Sequence, residues 1–202
     1  MIAMTELKRL FDCIEYNLEK KPLEDMLAGK EAGQWRKYST AECKTIIDNL
    51  SAGLLSLGIG CGDMTAEGRD KVAILCKNRP EWVMLDLAVQ QIGAVLTPIY
   101  PTINVNELEF IFNDATVKHV FVSGQEILDK VNIIRSRVPS LINVYSFDEL
   151  PGVIYWKTLI ADITPADLDK MEAVKATIKA EHCATIIYTS GTTGNPKGVM
   201  LT

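Results

Sequence analysis

Basic blocks are missing from this sequence: its 21 lysines and arginines are scattered among 26 acidic residues, giving a net charge of −5. Tracking a nucleic-acid backbone needs a concentrated positive footprint, so nucleic acid is not an expected partner. Long apolar runs are missing too, and none reaches the roughly 18 residues that cross a bilayer. The start of the chain carries Glu6, Lys8 and Arg9 with no apolar region behind them, which does not read as a secretory signal. Five cysteines, Cys13, Cys43, Cys61, Cys76 and Cys183, are odd in number and widely spaced, with no CxxC pair. Neither a disulfide framework nor a zinc site follows from that spacing, and free thiols are expected. The two histidines, His119 and His182, stand far apart with no carboxylate or cysteine pattern around them, so they read as structural or surface residues. A reducing, cytoplasmic setting is the expectation, with peripheral association to a membrane left open.

What is present is the composition of a globular protein, with 48% hydrophobic and 23% charged residues. A chain of this length buries about 70% of the surface its unfolded form exposes. Residues 7–18 place Leu7, Leu10, Phe11, Ile14 and Leu18 at the spacing of one helix face. Lys20 to Gly33 reads as a connection or short helix, and Gln34–Tyr38 as a strand with Trp35 and Tyr38 packing inward. Ser39 and Glu42 form a capping-box pair, opening a helix whose stripe runs through Cys43, Ile46, Ile47, Leu50, Leu54 and Leu57 to a stop at Gly58. The glycine-rich stretch 58–70 then reads as an exposed loop.

From Lys71 the pattern alternates between strands and helices. Strands are predicted at 72–76, 94–99, 119–122 and 142–145, with helices between them marked by Asn78-Arg79-Pro80, by Asn104 with Glu107, and by Ile127, Leu128, Val131 and Ile134. Such alternation implies a doubly wound α/β unit, a mainly parallel sheet flanked by helices. The organisation expected over 1–202 is a lead-in at 1–70, a βαβ unit at 71–147, a helical connection at 148–182, and a strand with a phosphate-binding loop at 183–202. Trp82 and Trp156 are expected to pack, and Glu149, Asp148 and Asp167 have no metal-site spacing.

The richest chemistry is the string Tyr188-Thr189-Ser190-Gly191-Thr192-Thr193-Gly194-Asn195-Pro196-Lys197-Gly198, which follows an apolar predicted strand. Glycines let a backbone approach a polyphosphate and turn its N–H groups inward, hydroxyls add donors, and a lysine supplies charge. The string does not have the spacing of a Walker loop, because Pro196 stands where the second glycine should be. It also lacks GxGxxG, because Thr193 stands where a glycine is needed.

Read whole, Tyr188–Val199 resembles without a gap the signature of the adenylate-forming enzymes: acyl-CoA synthetases, luciferases and peptide adenylation domains. Asn78-Arg79-Pro80-Glu81-Trp82, Gly93-Ala94-Val95 and Pro98-Ile99-Tyr100-Pro101-Thr102 look like the long-chain fatty acyl-CoA ligases within that group. The resemblance implies activation of a fatty acid with ATP and Mg²⁺, then thioester formation with coenzyme A. It implies that Thr189, Ser190, Gly191, Thr192, Thr193 and Gly194 contact the ATP phosphates, that Lys197 orients the leaving pyrophosphate, and that Thr189 lies near the metal. The adenine pocket, the Tyr-Gly-x-Thr-Glu motif and the late catalytic lysine of such enzymes have no counterpart in these residues. The expectation is therefore an N-terminal part of the adenylate-forming fold, holding no catalytic residue and inactive alone. A ligase for aromatic or amino acids, a stand-alone nucleotide-binding module and a structural domain are the alternatives.

Overall fold

The computed structural model describes residues 7–31, 33–189 and 194–202. Helix α1 (Asp12–Lys20) leads into a hairpin of β1 (Leu27–Glu31) and β2 (Gln34–Tyr38), then α2 (Thr40–Ser56). The alternating part follows as β3 (Lys71–Leu75), α3 (Pro80–Gln91), β4 (Val95–Pro98), α4 (Val105–Asp114), β5 (Val117–Val122), α5 (Gln125–Ile134) and β6 (Asn143–Ser146). A short β7 (Ile154–Tyr155), a 3-10 turn at Trp156–Ile160, α6 (Pro165–Lys175), β8 (Thr185–Thr189) and β9 (Lys197–Leu201) complete it. The main sheet has seven strands in the order β7-β6-β5-β3-β4-β8-β9, parallel throughout except for the antiparallel β8–β9 pair. This is the doubly wound α/β arrangement that the alternation predicts.

The central strand explains the two-layer core. All five residues of β3 are buried. Successive side chains of a strand point to opposite faces. Val72 and Ile74 thus join Ile47 and Leu50 of α2 and Met84 and Leu85 of α3 in one cluster, while Ala73 and Leu75 join Leu108 and Phe112 of α4 and Val131 of α5 in the other. Each fully buried aliphatic or aromatic side chain contributes about 1.5–3 kcal/mol of transfer free energy. The first face also carries a run of aromatic contacts: Phe121 stacks on Tyr145 with ring centres 4.7 Å apart, and Phe147 meets Trp156 edge-on at 5.9 Å.

Capping side chains and a tight glycine turn set several helix ends. Asn104 accepts from the Glu107 N–H at 2.9 Å, and Thr164 with Asp167 completes a reciprocal capping box at α6. Gly93 ends α3 at φ +71, and a Cβ there would lie 2.6 Å from Ile178 and 2.7 Å from Cys61, so only glycine fits this turn. Trp156 is buried, and Trp82 packs partly buried against the same cluster.

Other expectations are corrected. The predicted connection at 20–33 contains β1, which pairs with β2 from Leu27↔Tyr38 to Glu31↔Gln34. Trp35 on that hairpin is 68% exposed and lies under the Lys30 ammonium, while Tyr38 is buried. Ser39 caps α2 by accepting from Glu42 N–H at 3.1 Å, but the Glu42 carboxylate pairs with Arg36 of β2 instead of reaching back. Asn78 does not cap α3, whose N-cap is Arg79. Leu7, Leu10, Leu18 and Leu57 are exposed, because the layers beside them leave those faces open. The 58–70 segment is a mostly exposed loop, as expected, with anchored ends: Ile59 is fully buried, and the Asp70 carboxylate accepts from Gly60 N–H at 2.9 Å and from Lys118. His119 is buried in the sheet and His182 is partly exposed, in line with structural and surface roles. Among the described residues no helix is long and apolar enough to cross a membrane.

Candidate functional site

The site is built where β8 leaves the sheet. Thr185 lies beside Leu96 of β4, reinforced by its own hydroxyl donating to the Leu96 carbonyl at 2.9 Å, and this is the single register pair between the two strands. Two residues further along β4 stands Pro98, which has no N–H to continue a ladder. Beyond that point the strands share no pairing. A cleft of about 520 Å³ opens there, lined by Ile99, Tyr100, Ile103, Glu107, Tyr188 and Thr189 among others. It lies outside the carboxyl ends of parallel strands, the edge where open α/β sheets hold their ligands.

Beyond Thr189 the chain turns back as β9, in register from Thr185↔Leu201 to Thr189↔Lys197. The expected loop is therefore shorter than the signature string, with Lys197 and Gly198 already inside a strand. Direct pairing puts the Thr189 and Lys197 side chains on one face of the hairpin, with Cβ atoms about 5 Å apart. Both are exposed, as is Gly194, which turns the loop at φ +104. Ser190, Gly191, Thr192 and Thr193 lie outside the described residues. Of the predicted phosphate ligands, the structure thus brings Thr189 and Lys197 together at the base of the loop and sets Gly194 between them.

Tyr188 and Gly198, the two ends of the signature string, hold this hairpin together with Asp114. Tyr188 reaches sideways and donates its hydroxyl to Asp114 Oδ2 at the end of α4, 2.5 Å away. Burial pushes the Tyr188 hydroxyl above its ordinary pKa, and the Asp114 carboxylate pushes in the same direction, so the phenol stays protonated and donating. Gly198 stands opposite Tyr188, and a Cβ there would meet Tyr188 Cζ at 3.0 Å and Ile186 Cγ2 at 2.9 Å. The glycine gives the tyrosine ring room to lie across the strand. Asp114 is 74 residues away in the chain and follows no motif spacing, which is why sequence reasoning passes over it.

The same carboxyl edge has a second cleft, of about 470 Å³, between the ends of β3 and β5. There Arg79 bridges Glu81 and Asp148, with each carboxylate 2.9 Å away. Asp148 also accepts from the Gly124 N–H at 2.8 Å. The Asn78-Arg79-Pro80-Glu81 block is thereby an ionic latch between β3, α3 and the end of β6.

Against known proteins, the model of the AMP-binding enzyme family matches residues 14–202, from inside α1 through β9. The chain belongs to the AMP-binding enzyme family. This AMP-binding chain is 33% identical over 172 residues to a long-chain-fatty-acid–CoA ligase of Mycobacterium bovis, covering 84% of the chain and 27% of that relative. It is 31% identical over 180 residues to a long-chain-fatty-acid–CoA ligase of Rattus norvegicus, covering 87% of the chain and 24% of the relative. The chain thus spans about a quarter of the length of these curated relatives. Among solved structures it is similar to the acetoacetyl-CoA synthetase of Streptomyces lividans, with a TM-score of 0.73 and 23% identity over 93% of this chain and 29% of that one. The luciferase-like enzyme of the mealworm Zophobas morio matches with a TM-score of 0.71 and 16% identity, over 100% and 44% of the two chains. At those identities the likeness is one of fold, and the AMP-binding fold is what the seven-stranded sheet and its terminal hairpin belong to.

Proposed function

We propose that this chain supplies the phosphate-binding wall of an ATP-dependent, AMP-forming ligase that activates a fatty acid and transfers it to coenzyme A. The observation that carries the reading is the Thr189↔Lys197 pair at the base of a glycine- and hydroxyl-rich loop, on the carboxyl edge of a parallel sheet. The fatty-acid class is supported by the names of the relatives about 30% identical to the chain.

In the first half-reaction a carboxylate oxygen attacks the α-phosphorus of ATP, the bond from that phosphorus to the bridging oxygen breaks, and pyrophosphate leaves with the electron pair. The chain's task is to hold a tetraanion and stabilise the charge that collects on pyrophosphate, which is electrostatic positioning. The Lys197 ammonium orients the leaving group, and the Thr189 hydroxyl with Ser190, Gly191, Thr192, Thr193 and Gly194 surrounds the β- and γ-phosphates. In the second half, the coenzyme A thiolate attacks the acyl carbon and AMP departs. Mg²⁺ fits this donor set, because it binds phosphate substrates through few protein oxygens, and the exposed Thr189 hydroxyl is one hard oxygen beside the phosphates. When bound it neutralises phosphate charge.

Two measurements test the reading. Calorimetry of the chain with ATP and Mg²⁺ should show saturable binding that falls at least tenfold in Lys197→Ala. In the protein that carries this chain, ATP–pyrophosphate exchange should depend on palmitate-like acids. Exchange driven by amino or aromatic acids instead would replace the substrate class, and absence of nucleotide binding would remove the reading.

A further inference from the structure

The β1–β2 hairpin has two faces of different character. Its direct pairs set Ala28 beside Lys37 and Lys30 beside Trp35 on one face, and Leu27 beside Tyr38 and Gly29 beside Arg36 on the other. The second face is the packed one. Tyr38 is buried, and a Cβ on Gly29 would lie 2.7 Å from Pro80 Cδ, so the hairpin sits directly on the start of α3. The first face looks outward. Ala28, Lys30, Trp35 and Lys37 are all exposed, and Trp35, at 68%, is the most exposed of the three tryptophans. An indole in water leaves unburied one of the largest apolar surfaces that a side chain offers.

The charges around the ring are basic. The Lys30 ammonium stands 5.5 Å from the centre of the Trp35 ring. The Lys37 ammonium reaches Asp25 at 3.0 Å, an ion pair with both side chains more than half exposed, so it is weak and readily exchanged for another anion. Between Lys20 and Lys37 five basic residues stand against three acids, in a chain whose net charge is −5. An indole flanked by lysines suits a lipid interface, where the ring lies among the headgroups and the ammonium groups meet lipid phosphates. A protein partner is the poorer fit, because protein interfaces are depleted in lysine. Gly29, Lys30 and Glu31 also line the cleft of about 470 Å³, so the hairpin borders the carboxyl edge of the sheet.

We propose that the outer face of the β1–β2 hairpin docks on an anionic phospholipid surface, with Trp35 seated among the headgroups and Lys30 and Lys37 on the lipid phosphates. Because the hairpin borders the carboxyl edge, docking brings that edge near a bilayer, where an apolar acid is held. This consequence rests on the ligase reading. The docking itself does not, since none of the three residues belongs to the phosphate loop.

The test is co-sedimentation of the whole chain with vesicles of phosphatidylcholine alone, and of phosphatidylcholine mixed equally with phosphatidylglycerol, without nucleotide or fatty acid. The mixed vesicles should bind the chain and shift its tryptophan emission to the blue, a shift that Trp35 supplies because Trp156 is buried and Trp82 partly so. Phosphatidylcholine alone should bind at least tenfold more weakly, and raised salt should release the chain from the mixed vesicles. Trp35→Ser removes an exposed side chain, so the fold stays intact while binding falls at least tenfold. Lys30→Glu with Lys37→Glu should lose as much, whereas the same charge reversal at the exposed Lys157 and Lys170 should not. The proposal is overturned if the mixed vesicles bind nothing, if phosphatidylcholine binds equally well, if Trp35→Ser binds normally, or if the two charge reversals act alike. Should Trp35→Ser not fold, the charge reversals decide. With no substrate present, failure here leaves the ligase reading standing, and failure of nucleotide binding leaves the docking standing.

Discussion

Gly198→Ala should loosen the hairpin that carries Thr189 and Lys197, by an amount that the packing of Tyr188 sets. The new methyl would lie 2.9 Å from Ile186 Cγ2 and 3.0 Å from Tyr188 Cζ, so the ring and the strand must part by about half an ångström to reach ordinary contact. Overpacking of this kind costs about 1–3 kcal/mol, and alanine recovers roughly 0.5–1 kcal/mol of backbone entropy relative to glycine. The net expectation is a loss of about 1 kcal/mol, read as a lower urea midpoint at unchanged slope. Tyr188→Phe removes only the bond to Asp114, for about 0.5–1.5 kcal/mol, and frees the ring to shift. In that background Gly198→Ala should cost less, leaving a coupling of at least about 0.5 kcal/mol in the double-mutant cycle. If Gly198→Ala is as stable as the wild type, or if the two changes simply add, then Tyr188 is not what requires a glycine at 198.

Three further outcomes are expected. Gly53→Ala should destabilise by about 2 kcal/mol although alanine is the better helix former, because its Cβ would sit 2.0 Å from the Leu159 carbonyl oxygen; a rise in the urea midpoint would contradict the packing of α2 on the 3-10 turn. The buried His119 has its pKa lowered, first by desolvation and with the Lys118 charge adding to it. Its unfolded state therefore holds the proton more tightly, so its contribution is complete above pH of about 6.5 and is lost as pH falls through the lower folded value. His119→Gln should flatten the wild-type decline in stability between about pH 7 and 5, and parallel profiles would refute the assignment. Finally, the chain alone should show no acid-dependent ATP–pyrophosphate exchange, because Thr189, Gly194 and Lys197 are exposed and form one wall only; measurable exchange would overturn this.

Much of the fold was legible because the local and global signals agree. After Lys71, β3 is an apolar run buried on both faces, and α4 and α6 start where Asn104 and Thr164 offer a side-chain acceptor. The β1–β2 hairpin was not legible: Leu27-Ala28-Gly29-Lys30-Glu31 has weak strand propensity and becomes a strand only by pairing with Gln34–Tyr38. In the sequence β9 looks like the end of a loop for the same reason, since the partner that makes it a strand is β8 itself.

The family, and the residue types gathered for phosphate chemistry, follow from the sequence alone, because a long string of glycines, hydroxyls and a lysine has few other uses. Tertiary structure decided how those residues meet. The Thr189–Lys197 pairing needs the register of an antiparallel hairpin, the cleft beside it needs the missing N–H of Pro98 in a neighbouring strand, and the Tyr188 tether needs Asp114 from a distant helix end.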